Sequence, residues 1–191
     1  YLVGTRDYRL VYGTNDPLGL GAEPYCYTDS DWSADLDHRK STGGHVVFLD
    51  GAGISWRVKL SSTVCLSTQE AEYCAQTEGV KESLNIRMLL KDLGFGLPGP
   101  ARMFCDNKGA LTMSLHPANK PATRHIDMKY HFCRQHTEQG DVKPLFTATP
   151  DMVADFMTKQ THRPTHERHA RRVFGLQSAP VPLAPIQHLV E

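Results

Sequence analysis

Four acidic residues, Asp29, Glu72, Asp106 and Asp155, constrain what this chain can fold into more than any other feature. Asp29 closes the run Tyr25-Cys26-Tyr27-Thr28, and Asp106 closes Arg102-Met103-Phe104-Cys105. Both runs read as short buried strands, rich in aromatics and flanked by Pro and Gly. A carboxylate at the end of a buried strand is costly unless it is paired, hydrogen-bonded or bound to a cation. Glu72 falls early in a long helical stretch and Asp155 in a short final one. Strand-end aspartates and helical carboxylates converging on one sheet edge suggest a shared divalent-metal site, which suits phosphodiester hydrolysis.

The segments around these acids predict an α/β fold. Strands are expected over residues 25–29, 45–49 and 54–57, with Thr42-Gly43-Gly44 before the second and Asp50-Gly51 as the hairpin turn into the third. Thr68 is the expected N-cap of a helix over 69–93, and Gly94 its stop. Tyr73, Val80 and Leu84 share one face of that helix, and Ala75, Ile86 and Leu93 the opposite face. A helix apolar on two sides belongs between the sheet and other helices. Pro98-Gly99-Pro100 breaks the chain before a strand over 102–106, which is reached through a helical crossover and so is expected to run parallel to an earlier one. A short helix over 107–116, a helix over 124–138 and a fifth strand over 142–147 follow. Thr149-Pro150 reads as N-cap and first residue of the helix carrying Asp155. The order β-β-β-α-β-α-α-β-α predicts a mixed five-stranded sheet, three antiparallel strands then two more, with helices on both faces.

Residues 25–160 make the expected domain. Residues 1–24 read as the end of a preceding element (a helix tail, then a strand) and a Gly- and Pro-rich linker. Residues 161–191 read as a basic, His-rich tail, partly disordered towards its end. A start at Tyr1 fits a piece of a longer protein. Lys plus Arg equals Asp plus Glu at 21 each, so a nucleic-acid partner has to rest on local patches rather than on net charge. The five cysteines form no CxxC pair, and Cys26 and Cys105, each ahead of a strand-end aspartate, read as small core residues of a reducing compartment. No apolar run reaches transmembrane length and no signal peptide is visible.

Five segments carry a resemblance: YTDSDWSADLDHRKSTGG (27–44), ISWRVKLSSTVCLSTQEAEY (54–73), FCDNKGAL (104–111), TRHIDMKYHF (123–132) and ADFMTK (154–159). In this order and spacing they resemble the ribonuclease H domain of copia-type LTR retrotransposon polyproteins, and YLVGT (1–5) resembles the end of the reverse transcriptase connection. The resemblance implies a ribonuclease H-like fold and a metal-dependent endonuclease that hydrolyses the RNA strand of RNA–DNA hybrids. It sets Asp29 on the family's first-strand aspartate, Glu72 on its helical glutamate, Asp106 on its fourth-strand aspartate and Asp155 on its final aspartate. Two Mg²⁺ ions are implied, with Mn²⁺ as a substitute. Asp29 would bridge them, Glu72 and Asp106 would serve the leaving-group side, and Asp155 the side that activates water. The products would carry 5′-phosphate and 3′-hydroxyl ends, and 2′-hydroxyl contacts would select the hybrid. The implied partners are the hybrid and the reverse transcriptase domain of the same polyprotein, in cytoplasmic virus-like particles. Lys108-Gly109 and His45 depart from the family pattern, and the histidine-bearing loop of cellular ribonucleases H has no match, which leaves His125 or no group at all to help product release; His125 reads first as a structural residue or a phosphate contact.

Each assignment has a plainer rival. Asp31 would share the side of Asp29 if the strand continues. Glu70 and Glu72 lie roughly 200° apart on a helix, so only one can face the metals; Glu70 suits a first-turn charge or a cap partner. Asp151 suits a first-turn acid. The basic residues Arg39, Lys40 and Arg57, near His38 and Lys59, and Arg124 and Lys129, on one helix with Arg134, are candidate phosphate contacts or ordinary solvated charge. Trp32 and Trp56 read as core or rim packing before stacking platforms, and His131 as structural or a phosphate contact. His162, His166 and His169 have a helical spacing that could hold a transition metal, without a further ligand nearby. A non-catalytic tether that binds hybrid or supports a reverse transcriptase is the alternative function, and loss of an acid would favour it. An integrase or transposase core would carry its glutamate late rather than on the first long helix.

Overall fold

The computed structural model describes residues 2–13, 18, 23–32, 35, 37, 39–115 and 124–176, with the backbone alone at 2 and 124–130. The elements are α1 (Leu2–Thr5), β1 (Tyr25–Asp31), β2 (Thr42–Leu49), β3 (Ala52–Leu60), α2 (Thr68–Asp92), β4 (Ala101–Cys105), α3 (Lys108–Leu115), α4 (Arg124–Glu138), β5 (Val142–Phe146), α5 (Asp155–Thr158) and α6 (Arg163–Val173). A 3₁₀ turn, Thr149–Asp151, lies between β5 and α5.

Two cores flank the sheet, and β1 supplies the aromatics of the first. Tyr25 and Tyr27 face one side of the sheet, where they stack on Phe48 and Phe104 at centroid distances of 5.1 and 4.9 Å. Val46, Met152, Val153, Ala154 and Val173 complete that layer. Across the sheet, Tyr73 and Val80 of α2 meet Ala101 and Met103 of β4, Val142 of β5 and Cys133 of α4. The strand order is β3-β2-β1-β4-β5. The first three strands are antiparallel, and β1–β4 and β4–β5 are parallel, as the crossover argument expects. α2, backed by α3 and α4, covers one face, and α5 and α6 cover the other.

Several boundaries differ from expectation for identifiable reasons. β1 continues to Asp31, because Asp29, Ser30 and Asp31 keep pairing with Gly44, Gly43 and Thr42. Asp29 therefore lies inside the strand rather than at its end. On its other side β1 pairs with β4 only as far as Tyr27 and Phe104, so a notch opens between the two central strands beyond that pair. The Asp50-Gly51 turn is made as expected, with φ of 50° and 87°. Ser67, not Thr68, caps α2: its Oγ accepts from the Glu70 N–H at 3.2 Å, and Glu70 Oε2 accepts from the Leu66 N–H at 2.7 Å. Gly94 ends α2 with φ of 87°, donating to Lys91 while Phe95 donates to Leu90. Only the first half of α2 is buried, from Glu70 to Ser83. Leu93, expected on a buried face, is exposed, because a helix of 25 residues outruns the short strands beneath it. The helix expected to start at Thr149 is instead the 3₁₀ turn followed by a separate α5, and Ala148 precedes that turn without a side-chain cap.

The expected tail is also changed. α6, within residues 161–191, packs on β3 and α5, with His169, Ala170, Arg172 and Val173 buried. The expectation of disorder near the end falls on 177–191, outside the described residues. Residues 8–13 do not form the expected strand. They run beside the domain, with Val11 N–H on the Phe174 carbonyl at 3.0 Å and Tyr12 OH on the Gly53 carbonyl at 3.0 Å.

One glycine sets how closely α2 approaches β1. A Cβ at Gly79 would lie 2.4 Å from Thr28 Cγ2 and 3.1 Å from Cys26 Sγ. Both neighbours are buried in β1 and cannot swing aside. Gly79→Ala should therefore destabilise the fold by about 1–3 kcal/mol in urea unfolding, overpacking outweighing the better helix propensity of Ala. An unchanged or raised midpoint would show that the α2–β1 contact is not tight.

Candidate active site

Local structure brings three of the four acids together. Asp29 is wholly buried on β1, at the notch where β4 has stopped pairing. Glu72, on the first turns of α2, is 5% exposed and reaches the same strand, where the Ser30 N–H donates to its Oε1 at 3.2 Å. Asp106 directly follows β4. It is held there because Asn107 Oδ1 caps α3 on the Ala110 N–H at 3.0 Å and Thr149 Oγ1 donates to Asp106 Oδ2 at 2.8 Å. Asp29, Glu72 and Asp106 each offer an oxygen within 4.8 Å of the others. Among the described residues this is the one such group of three His, Cys, Asp or Glu side chains.

The fourth acid joins through a cation. Asp155 is the first residue of α5 and is buried. Its Oδ1 accepts from Lys159 Nζ at 3.1 Å, and the same Nζ donates to Asp29 Oδ1 at 2.9 Å. Thr158 Oγ1 donates to Asp29 Oδ2. α5 can come this close because of Gly44, opposite Asp29 in β2: a Cβ there would lie 2.7 Å from Thr158 Cγ2. Thr158 and Lys159 were not singled out from sequence. The signal was the spacing of Lys159 four residues after Asp155, which puts both on one side of a helical turn.

The electrostatics show a site short of positive charge. Burial first, then Asp29 and Asp106, push the Glu72 carboxyl up to about 9. Burial, then Asp29, push Asp155 up to about 7 against the pull of Lys159. Lys159 is held above the usual lysine range by Asp29 and Asp155, despite its partial burial. Glu72 Oε2 is buried with no hydrogen-bond partner among the described residues. A clustered set of buried carboxylate oxygens, one of them unbonded, fits a hard divalent cation.

The rivals fall elsewhere. Glu70 serves as a cap partner through Leu66, and Asp31 and Asp151 are outside the group of three. Arg39 and Arg57 are exposed, and Lys40 is half-buried. Arg57 and Lys59 line a cleft of about 90 Å³ between β2, β3 and α2, with Ser41, Ser61 and Cys65. The side chains of Arg124, His125 and Lys129, and all of His38, lie outside the described residues. Arg134 is engaged by His131 at 2.9 Å and by Glu138 at 3.8 Å. Trp32 Nε1 donates to the Cys65 carbonyl at 3.0 Å, and Trp56 stands exposed on β3. His166 and His169 pack against Phe156 at 5.4 and 6.5 Å, and burial pushes His169 down to about 4. With His162 they form no three-ligand group.

No family model matches the chain. Curated relatives do. A retrovirus-related Pol polyprotein from transposon TNT 1-94 of Nicotiana tabacum is 36% identical over 93% of this chain, and one from transposon RE2 of Arabidopsis thaliana is 33% identical over 94%. The chain spans 13% and 12% of the length of these relatives. Among solved structures, the N-terminal ribonuclease H domain of rv2228c from Mycobacterium tuberculosis superposes with a TM-score of 0.52 at 12% identity, covering 79% of this chain and 98% of that one. LC11-RNase H1, solved in complex with an RNA/DNA hybrid, gives 0.51 at 12% identity, covering 70% and 91%. The chain has a ribonuclease H fold and belongs with the retrovirus-related Pol polyproteins of copia-type transposons.

Proposed function

We propose that this chain is the ribonuclease H segment of a transposon polyprotein, a divalent-metal-dependent endonuclease that hydrolyses the RNA strand of RNA–DNA hybrids during reverse transcription. The observation that carries the reading is the meeting of Asp29, Glu72 and Asp106 at the notch between β1 and β4, with Asp155 joined to Asp29 through Lys159. Asp29 lies between the two halves of the site and suits a shared ligand. Glu72 and Asp106 would hold the leaving-group side, and Asp155 the water side. Mg²⁺, with Mn²⁺ as substitute, would supply Lewis-acid stabilisation and a nucleophilic water, in the two-ion arrangement of phosphoryl-cleaving sites.

The chain's own groups would do the positioning. The Ser30 N–H fixes Glu72 through one oxygen and leaves the other unbonded. Thr149 and the Asn107 cap orient Asp106. Arg39, Lys40 and Arg57 are candidate contacts to hybrid phosphates, with Arg124 and Lys129 as further candidates from α4. With 21 cationic and 21 anionic residues the chain exerts little long-range pull on a polyanion, so an adjoining reverse transcriptase domain would supply much of the grip. Association with virus-like particles in the cytoplasm belongs to this same proposal. No helix among the described residues is long and apolar enough to cross a membrane.

The test is cleavage of a hybrid labelled on each strand, with Mg²⁺ or Mn²⁺. The RNA strand should be cut to 5′-phosphate and 3′-hydroxyl ends. Asp106→Asn should lower the rate on the order of 100-fold or more, since even partners outside the metal's ligand set contribute about 10–100-fold. Hybrid binding without cutting, with the reverse transcriptase domain attached, would support a tether instead.

The same acids predict a pH dependence of stability. Asp155 and Glu72 keep protons in the fold that the unfolded chain has released, so the unfolded state binds fewer protons as pH rises. Metal-free protein should lose stability from about pH 3.8 to about pH 9, the span between the ordinary Asp155 value and the raised Glu72 value. Thermal melts across that range should show the fall, and saturating Mg²⁺ should flatten it, because the ion binds the deprotonated carboxylates. A flat metal-free profile would argue against the strained cluster.

A further inference from the structure

We infer that Lys159 is a resident cation of the carboxylate site, holding the place shared by Asp29 and Asp155 so that the free protein takes up one divalent ion rather than two. The inference rests on the reading of the acids as a metal centre.

The site is divided by geometry. On one side, Asp29, Glu72 and Asp106 approach within 4.8 Å of one another without any lysine or arginine bonded to Glu72 or Asp106 among the described residues. On the other side, Lys159 Nζ lies 2.9 Å from Asp29 Oδ1 and 3.1 Å from Asp155 Oδ1. Those are the two carboxylates that a second ion would have to share. The Asp29 side chain is fully buried and that of Asp155 is 12% exposed, so solvent screens this ammonium weakly. A divalent ion entering between the same two oxygens would meet a positive charge at short range in a poorly hydrated setting.

Lys159 is built in rather than adventitious. Its backbone N–H closes α5 on the Asp155 carbonyl at 2.9 Å, and its neighbour Thr158 bonds the other oxygen of Asp29. The side chain is 32% exposed on a flexible stem, so it can leave when another anion offers a partner. A nucleic-acid phosphate is such an anion. The second cation position would then open only with the polynucleotide in place, which ties full assembly of the site to substrate.

The experiment counts Mn²⁺ bound to the full chain without nucleic acid, by electron paramagnetic resonance. Wild type should hold one Mn²⁺. Lys159→Met should hold two, with the broadened spectrum of a coupled pair, and Lys159→Arg, which keeps the charge, should hold one. Circular dichroism and thermal melts establish that each variant is folded. Should Lys159→Met fail to fold, Lys159→Gln removes the charge while keeping a donor for Asp29, with the same expectation of two ions. Two ions on wild type, or one on a folded neutral variant, would overturn the role of Lys159 and leave the metal centre standing. No retained Mn²⁺ on wild type or on the variants would remove the metal centre itself, and the inference with it.

Discussion

Asp29 carries a carboxylate buried in the middle of a five-stranded sheet, and taking such a charge out of water costs roughly several kcal/mol unless neighbours compensate. Much of the surrounding structure supplies that compensation. Thr158 bonds one oxygen and Lys159 the other, both from the end of α5. The early end of β1–β4 pairing opens the space that Glu72 and Asp106 enter. Burial first, then the neighbouring Asp29 and Asp106, drives the Glu72 carboxyl far up the pH scale. The fold thus gathers carboxylates whose mutual repulsion a bound proton or a cation relieves.

Such gathering requires close approach, and small residues permit it. Gly44 admits α5 over β2 beside Asp29, and Gly79 admits α2 over β1. These two contacts set the separation of the layers from which the acids come. Farther from the site, Arg172 of α6 is buried over the Tyr27 ring at 4.8 Å and bonds its hydroxyl. The face that carries α5 is therefore tied down by α6 as well. Within the basic, His-rich tail expected over residues 161–191, α6 contributes Val173 to the core.

Much of the architecture was legible because local rules agree with the tertiary outcome. The aromatic run at β1, the Asp50-Gly51 turn and the Gly94 stop each use a residue whose backbone preference matches its place. The misreadings occurred where tertiary contacts override such preferences. β1 runs past Asp29 because β2 offers partners. Thr149 spends its hydroxyl on Asp106 instead of capping a helix. α2 loses its second buried face where the sheet beneath it ends.

Sequence alone pointed to the order of elements from β1 to α5 and to the mixed sheet, since alternation and turn residues are local properties of the chain, and its ordered motifs pointed to the four acids as candidates. Tertiary structure alone decided how those acids are shared out. Three meet directly, and the fourth meets Asp29 across Lys159, a residue 130 positions from Asp29 in sequence. It also decided that α6 belongs to the core. Charge pairing and burial depend on distances between segments far apart in the chain, and no local pattern encodes those distances.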